Sequence, residues 1–250
     1  MILAGLVLLA VGASDLVRQF VPRRWIGFLI AAITLVVIGT IGDALVWAFV
    51  AIVAGVLWVW AMPESRRSAA GFWPAVALAV VCIAAVLWLG ERTGAGLLTP
   101  VWRVDSPIGP VSFDLVVLTF GAAVFLLESG NRIVRSALSA ESAWRPVERA
   151  SVHTASDGED GTQPAARPSD GFQGGRLIGP LERILVLVLT LVGAYALLAA
   201  MLAAKGIVRF PEISRDGETG ARAEYFLVGS LVSWVVALGA AFLVWWCALS

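Results

Sequence analysis

An all-α, polytopic transmembrane helical bundle of about seven spans is the fold class this sequence predicts, and three observations predict it. The apolar residues fall in blocks of roughly 20, each bounded by charges, and about 20 apolar residues carry a helix across the hydrocarbon core of a bilayer. The 250 residues are 59% hydrophobic and only 14% charged, with a mean hydropathy of +0.88, whereas soluble domains carry about a quarter charged residues. No short alternating segments of the kind that build membrane barrels are visible, and in lipid only helices and closed barrels satisfy their own backbone.

The spans are expected at residues 2–16, 25–41, 44–62, 71–90, 112–127, 181–204 and 225–246. The first is the shortest and carries Asp15 near its end, so a six-span arrangement with an interfacial first helix is the alternative. Its basic residues, Arg18, Arg23 and Arg24, follow the apolar run rather than precede it, which reads as a retained helix with its N-terminus outside. Residues 91–111 read as an outer loop with turn chemistry in Ser106-Pro107-Ile108-Gly109-Pro110. Residues 139–175 are polar and rich in Ser, Gly and Pro, and 155–171 read as a disordered inner linker. The chain thus divides into an N-terminal bundle of about five spans (1–138), a cytoplasmic linker (139–175) and a C-terminal helical hairpin (176–250).

Orientation follows from the basic residues. With the N-terminus outside and the C-terminus inside, Arg18, Arg23, Arg24, Arg66, Arg67, Arg132, Arg135, Arg145, Arg149, Arg167, Arg176 and Arg183 fall on the inner side. Arg92, Arg103, Lys205, Arg209, Arg215 and Arg222 fall outside, so the bias has the sign of the positive-inside rule. Trp25, Trp58, Trp60, Trp73, Trp245 and Trp246 sit at inner span ends, where an indole with one wet edge is favoured.

Most charges near span ends need no function. Pro180 suits a first helical position, which places Glu182 in the first turn; Lys205 follows the last turn; Glu224, Asp114 and Asp43 precede spans. Arg183 can snorkel to the interface. Glu128 differs, because it closes the fifth span, where the helix dipole disfavours an anion. It either pairs with Arg132 four residues on, or joins Asn131 and Arg132 in a polar cluster inside the bundle. Asp15 with Arg18 poses the same question. Small residues at Gly229, Ser233, Ala237 and Ala241 recur every four positions and predict close packing, against Ala196, Ala200 and Ala204 or against a second copy.

Catalytic and cofactor signatures are lacking: there is no Gly-x-Ser-x-Gly, no His-Glu-x-x-His and no phosphate-binding glycine loop. His153 is the only histidine, and Cys82 and Cys247 lie in apolar blocks as buried thiols, so neither a metal nor a cofactor site is expected. Zero net charge gives no field for nucleic acid.

The run Gly175 to Arg183 (Ile178-Gly179-Pro180-Leu181-Glu182-Arg183), then Ala203-Ala204-Lys205, Arg209-Phe210 and Glu224-Tyr225-Phe226-Leu227-Val228-Gly229, resembles the C-terminal two-helix unit of uncharacterised bacterial multi-pass membrane proteins. Those proteins carry a domain of unknown function at their N-terminus, and Glu128-Ser129-Gly130-Asn131-Arg132 is similar to a segment preceding the unit. The resemblance implies a bacterial cytoplasmic-membrane protein and raises the interest of Glu182, Arg183, Lys205, Arg209 and Glu224. Arginine in strong preference to lysine points to a high-GC bacterium. The first functional expectation is a non-enzymatic module that contacts a partner protein or lipid headgroups through its hairpin ends and inner linker. A small-molecule or ion permease with a site near Glu128, Asn131, Arg132, Glu182 and Arg183 is the second. It requires Glu128 and Glu182 to share a basic group at the inner mouth. A lipid-processing enzyme is the third.

Overall fold

The computed structural model describes residues 1–62, 71–90, 96–98, 102, 105–106, 109–144, 175–214 and 221–249; the side chains of 98, 105–106, 109–110, 140–144, 175–176, 209–214 and 221–225 lie outside that description. The expected linker at 155–171 therefore falls outside it as well. Among the described residues the regular structure is helical apart from one antiparallel pairing of Asp105–Ser106 with Gly109–Pro110. The helices are α1 (Ile2–Phe20), α2 (Arg24–Ile41), α3 (Leu45–Ala61), α4 (Trp73–Leu89), α5 (Phe113–Trp144), α6 (Gly175–Leu191), α7 (Tyr195–Ser214) and α8 (Ala221–Leu249). Four are long and apolar enough to cross a membrane by length and composition: α1, α2, the Phe113–Ser139 part of α5 and the Phe226–Leu249 part of α8. The apolar helices α3 and α4 are 17 residues each.

The bundle is built around α1. Its apolar window is 83% buried against 17% for α2, so the helix expected to be the weakest span, or to lie at the interface, is the central one. A helix that is apolar on every side belongs in an interior, and α1 is apolar or small all round as far as Ala13. Its closest neighbour is α5, which runs parallel to it. Glycines make that approach possible: a Cβ at Gly5 would lie 2.7 Å from the Leu118 nitrogen, and one at Gly12 2.6 Å from that of Phe125. Around α1 also pack α2, α3 and α4, while α6 and α8 lean on α5.

One end of the bundle gathers Met1, whose amino group donates to the Gly90 carbonyl at 2.8 Å, with Gly42 against Phe113 and Ile2. The other end gathers Arg18, whose guanidinium donates to the Met62 carbonyl at 2.9 Å, and Ser136, which contacts the Met62 sulfur.

The C-terminal third departs from expectation. The segment 181–204 is not one helix: α6 ends at Leu191, the chain turns through Gly193 at φ +75°, and α7 starts at Tyr195. Lys205 Nζ returns to 2.7 Å from both Glu182 oxygens, so α6 and α7 are the two limbs of a helical hairpin and Lys205 does not lie across the membrane from Glu182. Glycine adopts the left-handed turn without a Cβ clash, and because the turn residues are apolar the hydropathy never dips. With the sixth segment folded back, α8 runs the other way. Gly229 faces Val134 and Leu138 of α5, while Cys247 comes within electrostatic reach of the Met1 amino group. The last helix therefore finishes at the Met1 end, so Trp245 and Trp246 sit at that end and not at the Arg18 end with Trp58.

Three smaller expectations are also corrected. Because α6 begins at Gly175, Pro180 is inside the helix and Glu182 is past the first turn. The α5 helix does not stop near Leu127 but continues to Trp144. Ala237 and Ala241 are fully buried and Ser233 nearly so, within this chain, whereas Ala196, Ala200 and Ala204 are exposed. The Ser233, Ala237 and Ala241 part of the α8 stripe thus packs within this chain and not on the alanines of α7.

Candidate functional site

Charged and polar side chains converge where α5 passes through Glu128-Ser129-Gly130-Asn131-Arg132, with consecutive residues serving opposite faces. Glu128 and Asn131 face α6, and Ser129 and Arg132 face α1. The centre of the first face is Arg183, 3% exposed. Its Nε donates to Ser233 Oγ of α8 at 2.9 Å, one terminal nitrogen to the Leu126 carbonyl at 3.0 Å, and the other to Asn131 Oδ1 at 2.7 Å. Asn131 Nδ2 in turn donates to Glu128 Oε2 at 3.1 Å. Glu128 is 3% exposed, and its second oxygen lies 3.6 Å from the exposed Arg135 guanidinium without a hydrogen bond. Glycine makes the arrangement possible, since a Cβ at Gly130 would sit 2.9 Å from the Arg183 guanidinium carbon. The guanidinium lies flat on bare α5 backbone and so reaches the Leu126 carbonyl.

On the other face, Asp15 of α1 is fully buried. Trp58 Nε1 donates to its Oδ2 at 2.9 Å, Arg132 Nε stands 2.8 Å from Oδ1 in an ion pair out of line for a hydrogen bond, and Arg18 lies 3.7 Å away. Ser129 Oγ is buried beside it. At about 1.5 Å per residue Asp15 stands roughly 20 Å along α1 from Ile2, deep in the interior of the bundle. Ionisable groups at such depth are costly and pair with one another, as these do.

The third group sits on the α6–α7 hairpin. Glu182 accepts from Trp234 Nε1 at 2.8 Å and from Lys205 Nζ at 2.7 Å on both oxygens. The ammonium also lies 5.4 Å from the centroid of the Trp234 ring and 5.7 Å from that of Phe226.

No protein-family profile, curated protein or solved structure matches the chain. Its residues carry the functional reading alone. Of the sequence-level candidates, Glu128, Asn131 and Arg183 form one network and Glu182 and Lys205 an adjoining one; Arg183 is within electrostatic reach of both Glu128 and Glu182. Arg132 is not with Glu128, as the four-residue spacing suggested, but turns to Asp15. The side chains of Arg209 and Glu224 lie outside the described residues.

Trp58, Ser129, Phe226 and Trp234 are site neighbours that sequence reasoning missed. Trp58 was expected at the wet interface and is instead 4% exposed, with its indole N–H spent on Asp15. A signal existed: a tryptophan flanked by apolar residues in a span needs a buried acceptor, and Asp15 is the acidic residue of the first span.

Beside this polar layer, α4 and α8 wall an apolar cleft of about 1120 Å³ floored by Leu8, Phe125, Ile133 and Ala137. Its walls offer hydrocarbon and aromatic surface from Phe72 and Val228 to Leu87 and Trp246.

Proposed function

We propose that the chain is a permease-type protein of a bacterial cytoplasmic membrane, with six crossings (α1–α5 and α8) and a re-entrant α6–α7 hairpin that enters and leaves at the inner face. It passes a small polar solute through a site centred on Arg183. The observation that carries this reading is a buried polar network inside the bundle, in which Arg183 donates to Ser233, the Leu126 carbonyl and Asn131, and Asn131 donates to Glu128, beside the Glu182–Lys205 pair. The charge pattern supports the topology. Of the 18 lysines and arginines, all but Arg92 and Arg103 belong to the helices or connecting segments of the Arg18 end, so the re-entrant arrangement is more strongly positive-inside than seven spans would be.

The test is solute-induced charge movement in proteoliposomes on a solid-supported membrane, with amines, amino acids and inorganic ions as the panel. Wild type should give a signal with at least one class that Arg183→Gln abolishes while remaining folded. Absence of any signal, or an equal one in Arg183→Gln, overturns the reading.

One observation favours a second reading, the accessory module. The cleft between α4 and α8 has the apolar lining that lipid chains or a partner's helix would fill.

A further inference from the structure

We infer that Glu182, Trp234 and Phe226 form a binding box for an alkylammonium group, and that Lys205 fills it as a tethered stand-in. The inference rests on the permease reading, to which it adds a substrate class. The walls of the box come from α6 and α8, and the occupant comes from α7 alone. One wall is a carboxylate, fixed by the Trp234 indole N–H at 2.8 Å and taken by Lys205 Nζ at 2.7 Å on both oxygens. The others are two aromatic faces with centroids 5.4 and 5.7 Å from the ammonium, inside the range of about 6 Å at which a ring attracts a cation. Carboxylate and ring faces together are the chemistry that recognises organic ammonium ions. A hard metal cation asks for several oxygens instead.

Two further observations make Lys205 the exchangeable member. Its side chain is 25% exposed against 11% for Glu182, so Lys205 is the more open member of the pair. The helix that carries it packs mainly on α6 and turns Leu197, Ile207 and Val208 outward, 63 to 74% exposed. Exchange of one ammonium for another leaves the charge beside Glu182 and Arg183 unchanged, whereas an incoming anion would face an unpaired carboxylate in a low dielectric. The ligand is therefore a primary or quaternary alkylammonium, either a free amine or the headgroup of an ethanolamine lipid.

Lys205 is the only lysine in the chain, which makes its own reactivity the readout. The full-length protein in detergent is acylated with an amine-reactive ester, and labelling at Lys205 is followed by mass spectrometry in tetramethylammonium chloride or in sodium chloride of equal ionic strength. Tetramethylammonium should raise the Lys205 rate several-fold, and Glu182→Gln should label rapidly in both salts. Equal rates for wild type in the two salts overturn the inference. Should Glu182→Gln not fold, Lys205→Met serves, with its thermal midpoint raised by tetramethylammonium and not by sodium if the box is correct, and by neither if it is not.

Nanodiscs separate the sources. Faster Lys205 labelling in phosphatidylethanolamine than in phosphatidylglycerol identifies the lipid headgroup, and equal labelling in the two, with the tetramethylammonium effect intact, identifies a free amine. Failure here with an Arg183-dependent solute signal intact removes the box and leaves the permease.

Discussion

Arg183 is bonded to three neutral acceptors and to no carboxylate directly, so its charge is balanced at one remove through Asn131 and Glu128 on one side and Glu182 on the other. Removing one member of such a buried network leaves the others desolvated and unpaired, which costs about 3–5 kcal/mol. Arg183→Met should lower stability in detergent by about that amount, and Arg183→Lys should fall between it and wild type, because an ammonium lacks the planar fork that reaches Ser233, Leu126 and Asn131 together. Unfolding midpoints in a denaturing-detergent titration check the order, and equal midpoints for all three proteins would contradict it. The Asp15 group gives a second ordering. Asp15→Asn keeps an acceptor for Trp58 but strips the charge that faces Arg132 and Arg18, whereas Trp58→Phe removes one hydrogen bond and leaves the ion pair. The same titration should find Asp15→Asn the more damaging, with Trp58→Phe costing about 1–3 kcal/mol for the acceptor left unmet.

Glycines set the packing of the helices, and two of them separate the reasons. Gly12 is needed for contact: a Cβ there would meet α5 backbone at 2.6 Å, which yields only if α1 and α5 move apart. Gly193 is needed for conformation: it lies at φ +75° with nothing within 4 Å of a built Cβ, so alanine costs only the left-handed strain of about 1–2 kcal/mol. Gly12→Ala should therefore lower the thermal midpoint more than Gly193→Ala, and the reverse order would mean that α1 and α5 are not in intimate contact. Here lies the limit of what the sequence makes legible. Hydropathy and flanking charges locate α2, α3 and α4 to within about two residues, because each is a simple apolar run. The α6–α7 break leaves no such trace, since Leu191-Val192-Gly193-Ala194 is as apolar as a helix interior. Glu128, Asn131, Glu182, Arg183 and Lys205 were visible as charges or amides out of place. Trp58, Phe226 and Trp234 were not, because an aromatic in an apolar run counts as hydrophobic until the fold shows what its ring or N–H meets.

At the scale of the whole molecule, the folded-back α6–α7 hairpin fixes the sidedness of everything after it. Seven crossings would put the ends of the chain on opposite faces, but α8 finishes beside Met1. The topology proposed above puts the connection between α5 and α6 on the cytoplasmic side and the end of α8 outside. Reporter fusions in the native membrane decide the matter. A fusion at Ser250 should give active alkaline phosphatase and dark green fluorescent protein, and truncation fusions within 145–174 the opposite pattern. If the Ser250 fusion fluoresces while the 145–174 fusion also does, α8 ends inside. Lys205 would then lie across the membrane from Glu182, an arrangement that the 2.7 Å contact between them forbids. The same fusions thus test the hairpin, the crossing number and the side from which the Lys205 box opens, because all three follow from whether α6 turns back at Gly193.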